Sequence, residues 1–278
     1  MILSTKVKTY NLAERTHIMG ILNVTPDSFS DGGKYATLEA ACEQARKLEA
    51  QGADIIDIGG ESTRPGHAPL SEEEELSRVL PVIEAIKKEV NVPISIDTYK
   101  AETARRAVEA GASIINDVWG AKREPEIANV AAELDVPIIL MHNRENMDYG
   151  NLIEDMKRDL QESIDIAKRA GVPDQHIIID PGVGFAKNAE HNLIAMNNLE
   201  QLHELGYPML LATSRKRFIG GVLDLPNAED RDIGTGATTC LGISKGAHMV
   251  RVHNVEMTLQ LVKMTDAMLR SGRVENNG

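Results

Sequence analysis

Short runs of apolar residues alternate with longer amphipathic segments along almost the whole chain. The first such run covers residues 18–22, and it has the length of a buried strand. Seven further runs follow, at 54–60, 93–97, 113–117, 137–141, 176–180, 208–213 and 248–252. Strands covered on both faces are β-branched and nearly continuously apolar, so the eight runs predict a parallel sheet.

The segments between these runs have the period of amphipathic helices. Ser71 and Glu74 form a capping-box pattern, which predicts a helix that runs to about residue 89. Gly111 and Gly171 stand where two other helices are expected to end. Helices are predicted at about 38–51, 71–89, 102–110, 152–170, 234–245 and 255–269.

Eight alternations over 278 residues average about 35 residues each, the size of a βα unit. The pattern predicts an α/β protein with one domain over residues 1–278, a (β/α)₈ TIM barrel with its core at about 17–270. An open doubly wound sheet is the alternative, but no G-x-G-x-x-G motif follows any of the strands. No linker or low-complexity segment divides the chain.

The composition of the chain argues against several classes of protein. The formal charge of −12, from 30 basic and 42 acidic residues, argues against non-specific binding of nucleic acid or an anionic membrane. Two cysteines, Cys42 and Cys240, cannot build a disulfide scaffold and predict a cytoplasmic protein. The sequence after Met1 shows no signal peptide, and no apolar run approaches the ~18 residues of a membrane span.

The first strand leads into a polar segment, residues 23–33, that is rich in Thr, Pro, Asp, Ser and Gly. Connections in α/β units usually have about 2–6 residues, so this longer one predicts a functional loop on a rigid strand. An ordinary strand-to-helix connection is the alternative.

Polar residues also stand where the predicted strands end. Asp97, Asn116 and Asp180 follow strands three, four and six, and the cationic residues Lys216, Arg251 and His253 follow strands seven and eight. Each alone has an ordinary explanation, as a helix cap, a solvated cation or a structural histidine. A barrel brings all of them to one face, where active sites of this fold lie.

Carboxylates and an amide suit a flat heterocycle with several N–H donors, because a carboxylate accepts two parallel hydrogen bonds. Arg, His and backbone N–H groups at the last two strands suit phosphate. The residues therefore predict an amino-substituted heterocycle that carries a phosphate or diphosphate, without naming the reaction.

Five segments have the form of sequence motifs: I-M-G-I-L-N-V-T-P-D-S-F-S-D-G-G at 18–33, G-G-E-S-T-R-P-G at 59–66, D-P-G-V-G-F-A-K at 180–187, T-S-R-K-R-F at 213–218 and R-V-H-N at 251–254. They resemble the signatures of dihydropteroate synthases, the folate-pathway enzymes that sulfonamides block. The resemblance extends from about residue 17 to about 262, and the segments have the order and spacing of that family.

The resemblance implies a transferase that joins 6-hydroxymethyl-7,8-dihydropterin diphosphate to p-aminobenzoate, giving 7,8-dihydropteroate and diphosphate. It implies a pterin pocket formed by Asp97, Asn116, Asp180 and Lys216, with Met141 and Phe185 near the ring. It implies diphosphate contacts from Asn23, Thr63, Arg251 and His253, with the cofactor Mg²⁺ bound beside Asn23. The p-aminobenzoate would lie among Phe29, Thr63, Arg64 and Pro65.

The implied catalytic residues are Asp97, Lys216, Arg251 and His253. Asp97 would stabilise a pterin cation, and Mg²⁺ with Arg251 and His253 would take up charge on the leaving diphosphate. Many members of the family have Ser where this chain has Arg217, so Arg217 is left out of the expected site. A homodimer is expected, as is competition by sulfonamides.

Three other functions are alternatives. A corrinoid-type methyltransferase shares the barrel and the pterin contacts but needs no diphosphate site. An aldolase would use Lys216 to form a Schiff base. A pterin-binding protein without turnover would not need the full set of Asn23, Asp97, Lys216 and His253.

Overall fold

The computed structural model describes residues 1–24, 33–61 and 70–271. Within them the strands are β1 (Ile2–Ser4), β2 (Thr9–Asn11), β3 (His17–Asn23), β4 (Ile55–Gly59), β5 (Ile94–Asp97), β6 (Ile114–Asp117), β7 (Ile138–Met141), β8 (Ile177–Asp180), β9 (Leu210–Leu211) and β10 (Met249–Val252). Each of the eight predicted apolar runs coincides with one of the strands β3–β10: the first run lies within β3, and each of the others contains its strand.

Strands β3–β10 form one parallel sheet in the order β8-β7-β6-β5-β4-β3-β10-β9. A parallel bridge between Ile179 and Met209 joins its two outer strands, β8 and β9. The backbone N–H of Ile179 also donates to the carbonyl of Pro208 at 2.9 Å. The sheet therefore closes on itself, and the predicted (β/α)₈ barrel is confirmed.

The helices of the described part are α1 (Gly33–Ala50), α2 (Glu72–Ile86), α3 (Ala101–Ala110), α4 (Glu126–Glu133), α5 (Leu152–Arg169), α6 (Ala189–Asn197), α7 (Arg217–Leu223), α8 (Asp232–Ser244) and α9 (Val255–Arg270). The capping box of α2 is confirmed, with reciprocal hydrogen bonds between Ser71 and Glu74. Helix α2 ends before residue 89 because the N–H groups of Lys88 and Glu89 bond three residues back, which tightens the last turn. Helices α4, α6 and α7 are not among those predicted.

Side chains alternate between the two faces of each strand, so the barrel has an apolar interior and an apolar outer layer. The outer layer packs beneath the helices, as Ile18, Ile56 and Ile96 illustrate. The interior forms a second apolar cluster, which contains Met19, Ile55, Ile114, Ile139, Ile178, Leu210 and Met249. This cluster lies directly below the polar residues at the carboxyl ends of the strands.

The amino-terminal hairpin of β1 and β2 closes the opposite end of the barrel. Leu3 and Tyr10 join the interior apolar cluster, and the Tyr10 hydroxyl donates to the carbonyl of Asp54 at 2.6 Å. The carboxyl ends of the strands therefore form the end of the barrel that this hairpin does not cover. None of the described helices has both the length and the apolar character needed to cross a membrane.

Candidate functional site

Three of four neighbouring strands, β3, β5 and β6, place polar side chains at one level of the barrel, and β4 places a glycine there. Asn23 pairs with Gly59 in the sheet register, Gly59 with Asp97, and Asp97 with Asn116. The absence of a side chain on Gly59 leaves room beside Asp97, since a Cβ there would lie 3.5 Å from the Cβ of Asp97. Asn23 is exposed at the rim, whereas Asp97 and Asn116 are buried. Asp97 and Asn116, which the sequence predicts at one face of the barrel, are thus neighbours, and Asn23 stands in the same register row.

Arg251 lies at the centre of this group and bridges two carboxylates. Its Nε donates to Asp57 Oδ2 at 2.6 Å, and its terminal NH2 donates to Asp97 Oδ2 at 2.7 Å. Asn116 donates to the same Asp57 oxygen at 3.2 Å. The sequence assigns the carboxylates and the cation to separate parts of the ligand, but here they contact each other. They do so at the carboxyl ends of β3–β10, the region that we call the chamber.

Two carboxylate oxygens of this cluster have no hydrogen-bond partner within the described part of the chain. They are Oδ1 of Asp57 and Oδ1 of Asp97, and both are buried. A buried acceptor without a donor costs about 1–3 kcal/mol. A ligand with N–H groups would remove that cost, so the two oxygens mark the cluster as a binding site.

The buried position of Asp97 changes its acidity. Burial raises the pKa of Asp97 to about 7, the nearby Arg251 opposes the rise, and the charge of Asp57 adds to it. Asp97 therefore gains or loses its proton near neutral pH. A cationic ligand would favour the ionised form, because an opposite charge stabilises a carboxylate.

Asp180 and Met141 lie side by side across the chamber, as a pair in the register of β7 and β8. Both are buried, and Asp180 accepts from the backbone N–H of Gly182 at 2.7 Å. Burial raises the pKa of Asp180, and the charge of Lys216 counteracts this rise. The apolar Met141 and the carboxylate next to it can contact the face and the edge of one flat ring.

Lys216 closes this side of the chamber. It stands immediately before α7 and donates to the carbonyl of Val183, while its Nζ lies 4.6 Å from the centre of the Phe185 ring. Burial lowers the pKa of Lys216 to about 8, although Asp180 favours the charged form. Gly184 permits this approach, because a Cβ there would lie 2.5 Å from Lys216 Cδ and because its φ of +90° favours glycine.

His253 follows β10 and is held by Ser214. The Ser214 hydroxyl and His253 Nδ1 lie 2.8 Å apart, and the backbone N–H of His253 donates to Ser214 Oγ at 3.1 Å. The neighbouring Arg215 pairs with Asp232 at 2.7 Å. His253 is therefore fixed at the same end of the barrel as Arg251, as expected for a residue that faces a phosphate.

Four of the predicted site residues, Phe29, Thr63, Arg64 and Pro65, lie outside the described residues. The segment 62–69 begins after Glu61, whose carboxylate accepts from Lys100 Nζ at 2.7 Å and from Leu70 N at 3.3 Å. Arg217, left out of the expected site, is the exposed first residue of α7.

Three residues in or beside the site were not predicted from the sequence: Asp57, Ser214 and Lys187. Lys187 Nζ donates to the carbonyls of Gly182 and Phe185. Asp57 is completely buried within β4. A carboxylate in the middle of an otherwise apolar run was the feature of the sequence that could have identified it. Ser214 lies inside a motif segment, and Lys187 ends one, but nothing in their spacing shows what they contact.

A model of the family described as "Pterin binding enzyme" matches residues 19–253. The dihydropteroate synthase of Bacillus subtilis (strain 168) is 60% identical over 275 residues, which are 99% of this chain and 96% of that protein. A crystal structure of the dihydropteroate synthase of Clostridium difficile with pteroic acid matches with a TM-score of 0.92 and 48% identity, over 94% of this chain and 99% of that one.

The dihydropteroate synthase of Xanthomonas albilineans with 4-aminobenzoic acid matches with a TM-score of 0.93 and 41% identity, over 98% of this chain and 99% of that one. These similar proteins have the synthase activity that the motifs imply, rather than that of a methyltransferase or an aldolase. The chain therefore belongs to the pterin binding enzyme family and, within that family, to the dihydropteroate synthases.

Proposed function

We propose that the chamber at the carboxyl ends of β3–β10 is where this chain joins 6-hydroxymethyl-7,8-dihydropterin diphosphate to p-aminobenzoate. The observation that carries the proposal is the buried cluster of Asp57, Asp97 and Asn116 around Arg251, with two carboxylate oxygens that lack donors. A pterin supplies several N–H donors on one flat ring. The similar structures contain pteroic acid in one case and 4-aminobenzoic acid in another, which supports both substrate classes.

The pterin ring would lie between Asp97 and Asn116 on one side and Asp180 on the other. Asp180 is buried and negatively charged when ionised, so it can accept a pair of N–H bonds from the amino-substituted edge of the ring. Met141 and Phe185 would cover the faces of the ring, and Lys216 would donate to a ring oxygen or nitrogen. These side chains belong to strands and to a tightly packed loop, so the pocket is largely formed in advance.

The diphosphate would bind beside Arg251 and His253. Arg251 reaches this role by exchanging its contacts with Asp57 and Asp97 for phosphate oxygens, which a guanidinium binds in bidentate form. Ser214 keeps His253 in position for the same anion. Both residues would take up the negative charge that grows on the leaving diphosphate as its C–O bond to the pterin breaks.

Asp97 would act on the other side of the same bond. As diphosphate leaves, the pterin methylene becomes cationic and the ring delocalises the charge. The ionised carboxylate of Asp97 stabilises this charge from a buried and therefore preorganised position. The amine of p-aminobenzoate then forms the new C–N bond, and the nitrogen loses a proton.

We also propose that Mg²⁺ binds beside Asn23. Asn23 is exposed at the rim of the chamber and stands in the register row that leads to Asp97. Magnesium keeps several waters and prefers phosphate oxygens, so one protein oxygen fits such a site. When bound, the ion would neutralise charge on the diphosphate.

The p-aminobenzoate pocket remains a proposal from the motif resemblance. Thr63, Arg64, Pro65 and Phe29 would frame this substrate. Sulfonamides would compete for the same pocket because they present the same aniline group. The anchoring of Glu61 to Lys100 and to Leu70 N holds both ends of the segment that carries three of these residues.

We also propose that the chain folds as one domain over residues 1–278, that it is located in the cytoplasm and that it forms a homodimer. Exposed apolar side chains on α8 and α9 support the dimer: Ile233 is 82% exposed, Met264 59% and Met268 58%. Helices α8 and α9 pack side by side, and a large apolar patch on such a surface would mark an interaction site.

Diphosphate release from the pterin substrate by the purified chain tests the function. The expected result is Mg²⁺-dependent release of diphosphate, with 7,8-dihydropteroate as the product when p-aminobenzoate is present. Asp97→Asn should abolish it, whereas Asp54→Asn, which changes a carboxylate at the other end of the barrel, should retain it. If the wild-type chain binds the pterin and releases no diphosphate, the proposed reaction is wrong.

A further inference from the structure

The loop that follows β8, residues 181–187, holds the pterin side of the chamber together. Its Val183 carbonyl accepts from Lys216, and its Phe185 ring lies against the same ammonium group. We call this segment the β8 loop. Whatever fixes its backbone also fixes Lys216 and Phe185.

The β8 loop contains residues in the left-handed region of backbone conformation. Gly182 has a φ of +63°, and a Cβ there would lie 1.9 Å from the carbonyl oxygen of His142. Ala186 has a φ of +45°, which is unfavourable for a residue with a side chain. Strain of the kind found at Ala186 persists when surrounding contacts determine the conformation.

Lys187 supplies three of them from a buried position. Its Nζ lies 2.8 Å from His142 Nδ1, 3.1 Å from the Gly182 carbonyl oxygen and 3.2 Å from the Phe185 carbonyl oxygen. An ammonium group has three N–H donors, and here each donor has one acceptor. Lys187 thereby links both turns of the β8 loop to the end of β7.

His142 is itself held in the form that accepts this bond. Its Nε2 lies 3.1 Å from Asp159 Oδ2, and Arg144 pairs with the same carboxylate. Burial lowers the pKa of His142 to about 4, so the ring is neutral near pH 7. A proton on Nε2, donated to Asp159, leaves Nδ1 as an acceptor for Lys187.

We propose that Lys187 is a positioning residue for pterin binding: it fixes the β8 loop and, through it, Lys216 and Phe185. The inference rests on the proposed pterin chamber and adds a residue that does not itself contact the ring. Tyr149 assists from another element, since its hydroxyl donates to the Ala186 carbonyl at 2.8 Å.

Lys187→Met tests the proposal, because methionine has a similar length and no donors. The measurement is the Kd of 6-hydroxymethylpterin by calorimetry, together with the melting temperature. Burial lowers the pKa of Lys187 to about 7, so pH 6.5 favours the ammonium form. We expect affinity to fall at least tenfold in a folded variant, with KM for the pterin diphosphate raised more than kcat is lowered.

Lys122→Met is the matched control. Lys122 is half-buried and its charge acts on the same His142, but its Nζ donates to the carbonyl of Asn143 and not to the β8 loop. We expect this variant to lose stability and keep its pterin affinity. Equal loss of affinity in both variants would overturn the proposal, as would wild-type affinity in Lys187→Met.

If Lys187→Met does not fold, Tyr149→Phe tests the β8 loop by a smaller change, which removes the hydroxyl that donates to the Ala186 carbonyl. An affinity about threefold weaker supports the role of the loop contacts, and an unchanged affinity refutes it. A wild-type chain that fails to bind 6-hydroxymethylpterin would instead refute the proposed chamber, so the two failures are distinguishable.

Discussion

The acidity of Asp97 should depend on Asp57, a carboxylate that lies within β4. We expect Asp57→Asn to lower the pKa of Asp97 and to move the acid limb of the pH profile of kcat/KM towards lower pH. Both carboxylates accept hydrogen bonds from one guanidinium group, that of Arg251. The Asp57 charge raises the pKa of Asp97, and the amide removes that charge while keeping the shape.

The geometry sets the size of the effect. An opposite charge within about 4–6 Å lowers a carboxylate pKa by about 1–3 units and a like charge raises it, and one unit corresponds to about 1.4 kcal/mol. Arg251 would also have a single carboxylate left to neutralise, which shifts the pKa of Asp97 in the same direction. A shift of at least about one unit below the wild-type value near 7 is therefore expected.

The sign follows from the role of the ionised carboxylate. Protonation of Asp97 removes the charge that stabilises the pterin cation, so kcat/KM falls as pH falls through this pKa. A lower pKa preserves activity to lower pH. The variant should also bind pterin more weakly at neutral pH, because its new amide nitrogen replaces an acceptor, Asp57 Oδ1, that has no donor in the described structure.

Initial rates of diphosphate release between pH 5 and 9 provide the assay, since kcat/KM reports groups that titrate in the free enzyme. Asp54→Asn is the control, because Asp54 pairs with Arg15 and with the N–H of Ile18 at the other end of β4. An acid limb at the same pH in wild type and Asp57→Asn would refute the electrostatic link between the two carboxylates.

Three further predictions concern binding, assembly and stability. Asp180→Asn should weaken pterin binding by about 1.5–3 kcal/mol, the value of a charge-assisted hydrogen bond, and calorimetry that finds unchanged affinity would contradict the assignment. Ile233→Asp should convert the proposed dimer into monomers, because the residue is 82% exposed on α8; an unchanged sedimentation coefficient would place the interface elsewhere. Ser71→Ala should cost about 1 kcal/mol of unfolding free energy through loss of the capping box, and identical urea midpoints for the variant and wild type would show that the cap contributes nothing.

Several parts of the fold were predictable because their causes are local. Continuous apolar runs of strand length marked β3–β10, and Ser71 with Glu74 marked the start of α2. The hairpin of β1 and β2 was missed, because two strands of three residues each provide too few positions for a pattern. Helix α6 was missed as well, since its buried side chains, Asn192, Ala195 and Met196, do not form an apolar stripe.

The sequence by itself determined the family and the residues that stand at the strand ends. Motif order and the apolar runs of the strands are both properties of residue order alone. Only the tertiary structure decided which of those residues meet. Arg251 contacts Asp57 across 194 positions of sequence, and Lys187 reaches His142 across 45. Barrel closure and burial create these contacts, and the same burial shifts the pKa of Asp97 and of Lys187. Desolvation depends on what surrounds a group in space, which no local pattern of residues records.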